Sequence, residues 1–276
     1  IFIITSQPRR LGSEVKNDRN TTERVYRFFP KNIYYALDDY KYPWLARLLW
    51  HVIDTLCPCS AKRVKKILHE EQPDVVITHN LKGLGLRIPG AIRALKIPHV
   101  HVVHDLQLIY PSGLLFAGKE RVPFYINPFY KIYRFICRSL FAQPGAVIFP
   151  STYLRDVYLK EGFFKRSDVR VMPNPAPRFI PITRGQRNPG PLKLLFVGQL
   201  EAHKGIEFLL NAYRQFPAGT QLIIAGEGTY RELVQKRSSA DKNIVYLGFI
   251  SLEQLVNCLG VVDALVVPSL CYENSP

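Results

Sequence analysis

The alternation of short β-branched runs with helix-spaced segments constrains this chain more than any other feature. Apolar runs rich in valine and isoleucine occur at 1–5, 25–29, 74–78, 99–103, 146–149 and 169–172, and again at 192–197, 221–225, 244–249 and 264–267. Between many of them apolar residues recur at gaps of three and four, the spacing that gathers side chains on one face of a helix. Strand followed by helix, repeated, predicts parallel sheets covered by helices. The pattern breaks once. Residues 173–191 hold six prolines and two glycines with almost no periodicity, the composition of a linker between compact units. The expected organisation is therefore a first α/β domain over 1–182, a linker over 183–191 and a second α/β domain over 192–276.

Two helices are legible as stripes. Leu45, Leu48, Leu49, Val52, Ile53 and Leu56 share one face, and that face is expected to be buried. Phe129, Ile132, Tyr133, Ile136, Cys137 and Leu140 share another, with Lys131, Arg134 and Arg138 off the stripe. Further helices are expected at 61–71, 204–216 and 230–237. Ser151 can cap the helix that Gly162 ends, and Ser251 with Gln254 matches a capping box. The run at 1–5 has no lead-in, and the last strand lacks the helix that a parallel sheet needs after it. The fold is thus expected to continue before Ile1 and after Pro276.

Composition narrows the partners. The chain has 37 Lys and Arg against 22 Asp and Glu, a net charge of +15, so an anionic partner is expected. Nucleic acid is the less favoured choice, because no reader motif and no surface of interleaved basic and aromatic residues is present. Five scattered cysteines suit a reducing compartment, and the close pair Cys57 and Cys59 reads as packing. No apolar run approaches the eighteen or so residues of a membrane span. A cytoplasmic protein is expected, with peripheral contact at the inner, anionic face of the membrane left open through the basic, aromatic segment 124–141. An ordinary core-facing helix is the preferred reading of that segment.

Three motifs can carry chemistry. Phe196-Val197-Gly198-Gln199-Leu200, leading to His203-Lys204-Gly205, is a strand, a glycine turn and a basic residue at a helix start. Free amides and a full positive charge there suit a diphosphate; a tight turn with a solvated lysine is the plainer alternative. Ala225-Gly226-Glu227-Gly228 is a second glycine turn after a strand. Tyr272-Glu273-Asn274-Ser275-Pro276 follows the last strand, where open α/β sheets bind ligands, and its carboxylate can accept hydrogen bonds from sugar hydroxyls.

In this order the motifs resemble the C-terminal domain of the retaining glycosyltransferases of family 4. Gly198 to Leu200, Lys204-Gly205, Gly226 to Gly228, Leu247-Gly248, Pro268-Ser269 and Glu273 match its pattern in sequence. The first half is similar to the family's acceptor domain through Pro73 to Val76, His104-Asp105, Phe149 to Ser151 and Pro173 to Pro175. The resemblance implies a GT-B fold: two Rossmann-like domains whose parallel sheets face a cleft, the second domain incomplete here.

The resemblance also implies roles. Lys204 would hold the donor diphosphate, together with Gly198, Gln199 and Gly226; Glu273, Asn274 and Ser275 would bind the donor sugar. Phe249 and Ile250 would lie against the nucleobase. His104, with Asp105 on the acceptor side, would sit near the sugar, facing the same cleft as Lys204. Gln199 stands where the family has arginine, so one expected cation on the diphosphate is missing. His104, Lys204 and Glu273 are the expected catalytic set. No cofactor is expected, and a metal at His99, His101 and His104 is disfavoured because no third-ligand pattern stands nearby. The expected function is retaining transfer of a sugar from a nucleotide-sugar donor to a saccharide or lipid-linked acceptor, in polysaccharide or glycolipid synthesis. The alternatives are a non-catalytic nucleotide-sugar binding module and a sugar-nucleotide epimerase of the same architecture.

Overall fold

A computed structural model of the chain describes residues 1–12, 14–17, 24–118, 128–141, 143–175 and 190–272. These residues form two compact units, the first from Ile1–Leu114 with Arg121–Pro173, the second from Leu115–Glu120 with Asn174–Asn274. Of the expected linker, 183–191, residues 183–189 lie outside the described residues.

The first unit contains two sheets. β1 (Phe2–Ser6) pairs in parallel with β3 (Arg24–Phe28), and β2 (Glu14–Asn17) adds to β3 antiparallel. The second sheet has the order β4 (Val76–His79), β5 (His99–Val102), β6 (Ala146–Phe149), β7 (Asp168–Val171), all parallel. Helices α1 (Trp44–Leu56), α2 (Cys59–Glu71), α3 (Ile88–Ala94), α4 (Pro128–Phe141) and α5 (Thr152–Lys160) complete it. Ser151 caps α5 as its sequence predicts, its hydroxyl accepting from the Leu154 amide at 3.2 Å. Aromatic rings fill the core behind β5 and β6: Phe141, Phe149, Tyr158, Phe163 and Phe164 are all buried and meet at centroid distances of 5.3 to 6.5 Å.

Two stripes depart from expectation. α1 turns its apolar stripe outward: Leu45, Leu48, Leu49, Val52 and Leu56 are exposed, while the face toward the protein carries Trp50, Asp54 and Thr55. Polar anchors hold that inner face. The Trp50 indole N–H donates to the Tyr34 carbonyl at 2.9 Å, and Asp54 accepts the Gly83 amide on both oxygens, at 3.1 and 3.0 Å. Periodicity identified the helix correctly but could not say which side meets the core, and directional hydrogen bonds chose the polar one. α4 buries Cys137 and Phe141 near its end but exposes Phe129, Ile132 and Phe135.

The second unit is one parallel sheet of order β10 (Ile244–Gly248), β9 (Gln221–Ala225), β8 (Lys193–Val197), β11 (Ala264–Leu265). Three α-helices accompany it: α6 (Ile206–Ala212), α7 (Arg231–Ala240) and α8 (Leu252–Val261). Leu194, Phe196, Leu222 and Ile224 from the strands pack with Leu200, Ile206, Leu209, Leu210 and Val234 in one core. The expected capping box is present: Ser251 accepts from the Gln254 amide at 3.2 Å and Gln254 accepts from the Ser251 amide at 2.8 Å. The helix expected from Lys204 instead begins at Ile206. Lys204 ends a short 3-10 turn, and Gly205, left-handed at φ 72°, redirects the chain into α6.

Candidate active site

The motifs of the second unit meet beyond the carboxyl ends of its strands. Each turn is tied to the next by backbone bonds: Gly198 donates to the Ala225 carbonyl at 3.1 Å, Leu200 to Glu227 at 2.9 Å, and Gly226 to Gly248 at 2.7 Å. The glycines are required by this proximity. A Cβ on Gly226 would collide with the Gly198 carbonyl oxygen and stand 2.9 Å from its carbon. One on Gly228 would lie 2.5 Å from the Leu200 oxygen, and one on Gly205 would overlap the Pro268 carbonyl, 2.8 Å from its carbon. All three fall below any normal approach, and φ values of 138° for Gly226 and 72° for Gly205 add strain for a side chain. The sequence spacing of Gly198, Gly205, Gly226 and Gly228 therefore records four backbone segments packed without side chains between them.

Polar side chains lock the same turns. Glu201 accepts from both the Thr229 amide and its hydroxyl, at 2.9 and 2.8 Å. The Tyr246 hydroxyl donates to the Gly226 carbonyl at 3.1 Å. Neither Glu201 nor Tyr246 was singled out from the sequence, since their work is to hold turns and no local pattern marks it. Around this frame Gln199 is exposed, Lys204 and Ile250 are half-buried, and the Phe249 ring is 81% exposed just past β10. A cation and an open aromatic face are thus gathered at one end of the sheet, groups that suit a phosphate and a flat heterocycle. Glu273, Asn274 and Ser275 lie outside the described residues.

In the first unit, His104 follows β5 and His79 ends the neighbouring β4, which puts both at the carboxyl edge of that sheet. Nδ1 of His79 and Nε2 of His104 are 2.9 Å apart, the rings stacked at 5.2 Å. Burial holds both imidazoles below their ordinary range, with His104 adding repulsion on His79. Both are therefore neutral at pH 7, able to share one proton between them. The sequence reading ended the strand at Thr78 and so missed His79, which lacks the following aspartate by which the resemblance singled out His104.

Asp105 is engaged in its own turn. Its carboxylate accepts from the Gln107 amide at 2.7 Å and from the Asn80 side chain at 3.1 Å, and burial raises its pKa. His99 and His101 point to one buried face, where the Thr78 hydroxyl meets His99 Nε2 and His101 Nδ1, each at 2.8 Å. This is the packing and strand hydrogen bonding expected of them. Among the described residues no group of three or more His, Cys, Asp or Glu is arranged to hold a metal ion.

The sequence profile of Glycosyltransferase Family 4 matches residues 17–177, and that of Glycosyl transferases group 1 matches 191–276. The chain belongs to glycosyltransferase family 4. A 42.6 kDa protein of the cps region of Klebsiella pneumoniae is 25% identical over 257 residues, covering 91% of this chain and 67% of that protein. Among solved structures, the sucrose-phosphate synthase of Thermosynechococcus elongatus superposes with a TM-score of 0.67 at 17% identity, over all of this chain and 66% of that one. Anabaena HepE in complex with UDP gives 0.58 at 17% identity, over 91% of this chain and 62% of that one. The lipopolysaccharide outer core galactosyltransferase WaaB gives 0.54 at 18% identity, over 79% and 56%. These likenesses show an α/β fold with parallel sheets of the GT-B type. The chain spans between 56% and 66% of the length of these three solved structures.

Proposed function

We propose that this protein transfers a sugar from a nucleotide-sugar donor to an acceptor hydroxyl, with retention at the anomeric carbon, in the synthesis of a cell-surface polysaccharide or glycolipid. The observation that carries this reading is the interlock of the turns after β8, β9 and β10, which gathers Lys204 and the exposed Phe249 ring at one edge of the second unit. The ligand of the Anabaena protein and the names of WaaB and the cps-region relative support a nucleotide-sugar donor and a saccharide product.

In this mechanism the bond between the anomeric carbon and the donor diphosphate breaks as the acceptor oxygen bonds to that carbon. The acceptor proton passes to the departing diphosphate. Negative charge grows on the diphosphate, so Lys204 stabilises the transition state more than the bound donor. Gln199 offers an amide but no charge. His104 would act on the sugar as a neutral imidazole, its ring oriented by His79. No metal or cofactor enters the scheme.

Replacing Lys204 with Ala tests it. Transfer from nucleotide sugars to a panel of acceptors should fall by about tenfold to a hundredfold, the loss of a charge-assisted hydrogen bond worth roughly 1.5–3 kcal/mol. Donor turnover that needs no acceptor in the parent protein would point to an epimerase instead, and donor binding without any turnover to a binding module.

A further inference from the structure

The loop after β4 holds a cation that the transfer scheme does not use. Lys82 is half-buried and, with His79 and Asn80, lines a cavity of about 1160 Å³ in the first unit. Its place in the loop is fixed by two backbone bonds. The Lys82 amide donates to Gln107 Oε1 at 3.1 Å, and the next amide, that of Gly83, donates to Asp54. Gly83 has φ 81°, and a Cβ on it would stand 2.6 Å from that of Ala36, so the turn after Lys82 admits no other residue without movement.

Among the described residues, the ammonium at the end of this anchored side chain makes no hydrogen bond and no ion pair. Three acids act on its charge, Asp39, Asp105 and Asp54, yet each is already engaged. Asp39 pairs with Arg47 at 2.8 Å and accepts from the Tyr34 hydroxyl at 2.7 Å. Asp105 accepts from Gln107 and Asn80, and Asp54 accepts the Gly83 amide on both oxygens. Burial lowers the Lys82 pKa, and the three acids restore it only in part. A cation drawn partly out of water without an acceptor costs stability, and a fold keeps such a residue where a ligand supplies the acceptor.

We infer that the Lys82 ammonium holds an oxyanion of the acceptor, a phosphate or a carboxylate, so that this transferase takes a charged acceptor. A neutral hydroxyl would accept a hydrogen bond and leave the charge unmatched, whereas an oxyanion satisfies both. The neighbouring acids do not repel it strongly, since Arg47 offsets Asp39, burial raises Asp54 to about 7, and Asp105 is held in its own turn. Lys82 follows His79 by three residues, and the His79 ring is bonded to His104, so the oxyanion would bind at the same strand edge as the histidine pair. The inference rests on the transferase reading and adds a charge to its acceptor.

Two anions and a neutral sugar test it, in a Lys204→Ala protein so that the other phosphate-binding cation does not report. Glucose 1-phosphate, glucuronate or glucose is added and thermal unfolding is followed. One of the two anions should raise the melting temperature, which names phosphate or carboxylate as the source, and glucose should not. Adding Lys82→Met should remove that gain, whereas Lys82→Arg should keep it. Without ligand, the Lys82→Met protein should melt higher than the protein it was made from, because an unmatched charge has gone. In the transfer assay Lys82→Met alone should raise the KM of a charged acceptor by about tenfold, the loss of one charge-assisted hydrogen bond, and leave the donor KM unmoved. The inference is overturned if neither anion protects, if protection survives Lys82→Met, or if charged and neutral acceptors suffer equally in that variant. A lower melting temperature for ligand-free Lys82→Met would show a structural lysine and overturn it as well. Protection that depends on Lys82 in a parent protein that transfers no sugar would instead overturn the transferase reading and leave the anion site standing.

Discussion

His79 and His104, contributed by the ends of adjacent parallel strands, share one 2.9 Å hydrogen bond through Nδ1 and Nε2. Both are bases held below their ordinary pKa, so the fold favours their neutral forms, and that contribution to stability is lost as pH falls through the ordinary value toward the depressed one. In His104→Ala, His79 should gain water and lose its repulsive neighbour, and its titration should move back up. Histidine titration by NMR reads this without any substrate; an unmoved His79 would show that the pair is not coupled. In the transfer assay His79→Ala should lower turnover by about tenfold, the worth of one orienting hydrogen bond, with donor KM little changed.

Glycine positions divide into sites that tolerate a methyl group and sites that do not. Gly226→Ala drives a Cβ into the Gly198 carbonyl and should destabilise the unit by about 2–4 kcal/mol, read as a drop in the urea midpoint. Gly90, in the middle of α3 of the first unit, meets nothing within 4 Å. Gly90→Ala should stabilise by roughly 0.5–1 kcal/mol. A Gly226→Ala protein as stable as its parent would contradict the interlock.

Asp54 is an acid whose folded pKa is raised to about 7, chiefly by burial, with the Gly83 amide opposing the shift. A raised pKa means the folded state binds the proton more tightly, so Asp54 stabilises below about pH 4 and that contribution is lost as pH rises toward 7. The size is on the order of 4 kcal/mol. Three histidines, His99 and His101 buried and His51 half-buried, work in the opposite direction. His51 and His99 are pushed down to about 4 and His101 to about 3, each by burial, so they destabilise the fold as it acidifies. The comparison that isolates Asp54 is therefore Asp54→Asn against the parent, by denaturant unfolding across pH 4 to 8. The variant should gain on the parent steadily through that window and be the more stable of the two at pH 8.

Much of the fold was legible because it rests on period and punctuation. The strand at 146–149, the Ser151 cap and the capping box at Ser251 follow from residue type alone. The exposed stripe of α1 did not follow, because periodicity is blind to which side a partner occupies. β2 was missed for a related reason: Glu14 to Asn17 contains one apolar residue, and only the antiparallel ladder to β3 makes it a strand. At the candidate site, the glycines and Lys204 could be read from their order. His79, Glu201 and Tyr246 could not, since each acts by touching a residue distant in sequence.

The knitted turns after β8, β9 and β10 carry a last consequence. Three loops that hang from one another through Gly198, Leu200 and Gly226 cannot drift apart singly, so whatever settles on them meets a surface already in its final shape. Little disorder remains there to be frozen out on contact, and selectivity can then come from fit more than from closure.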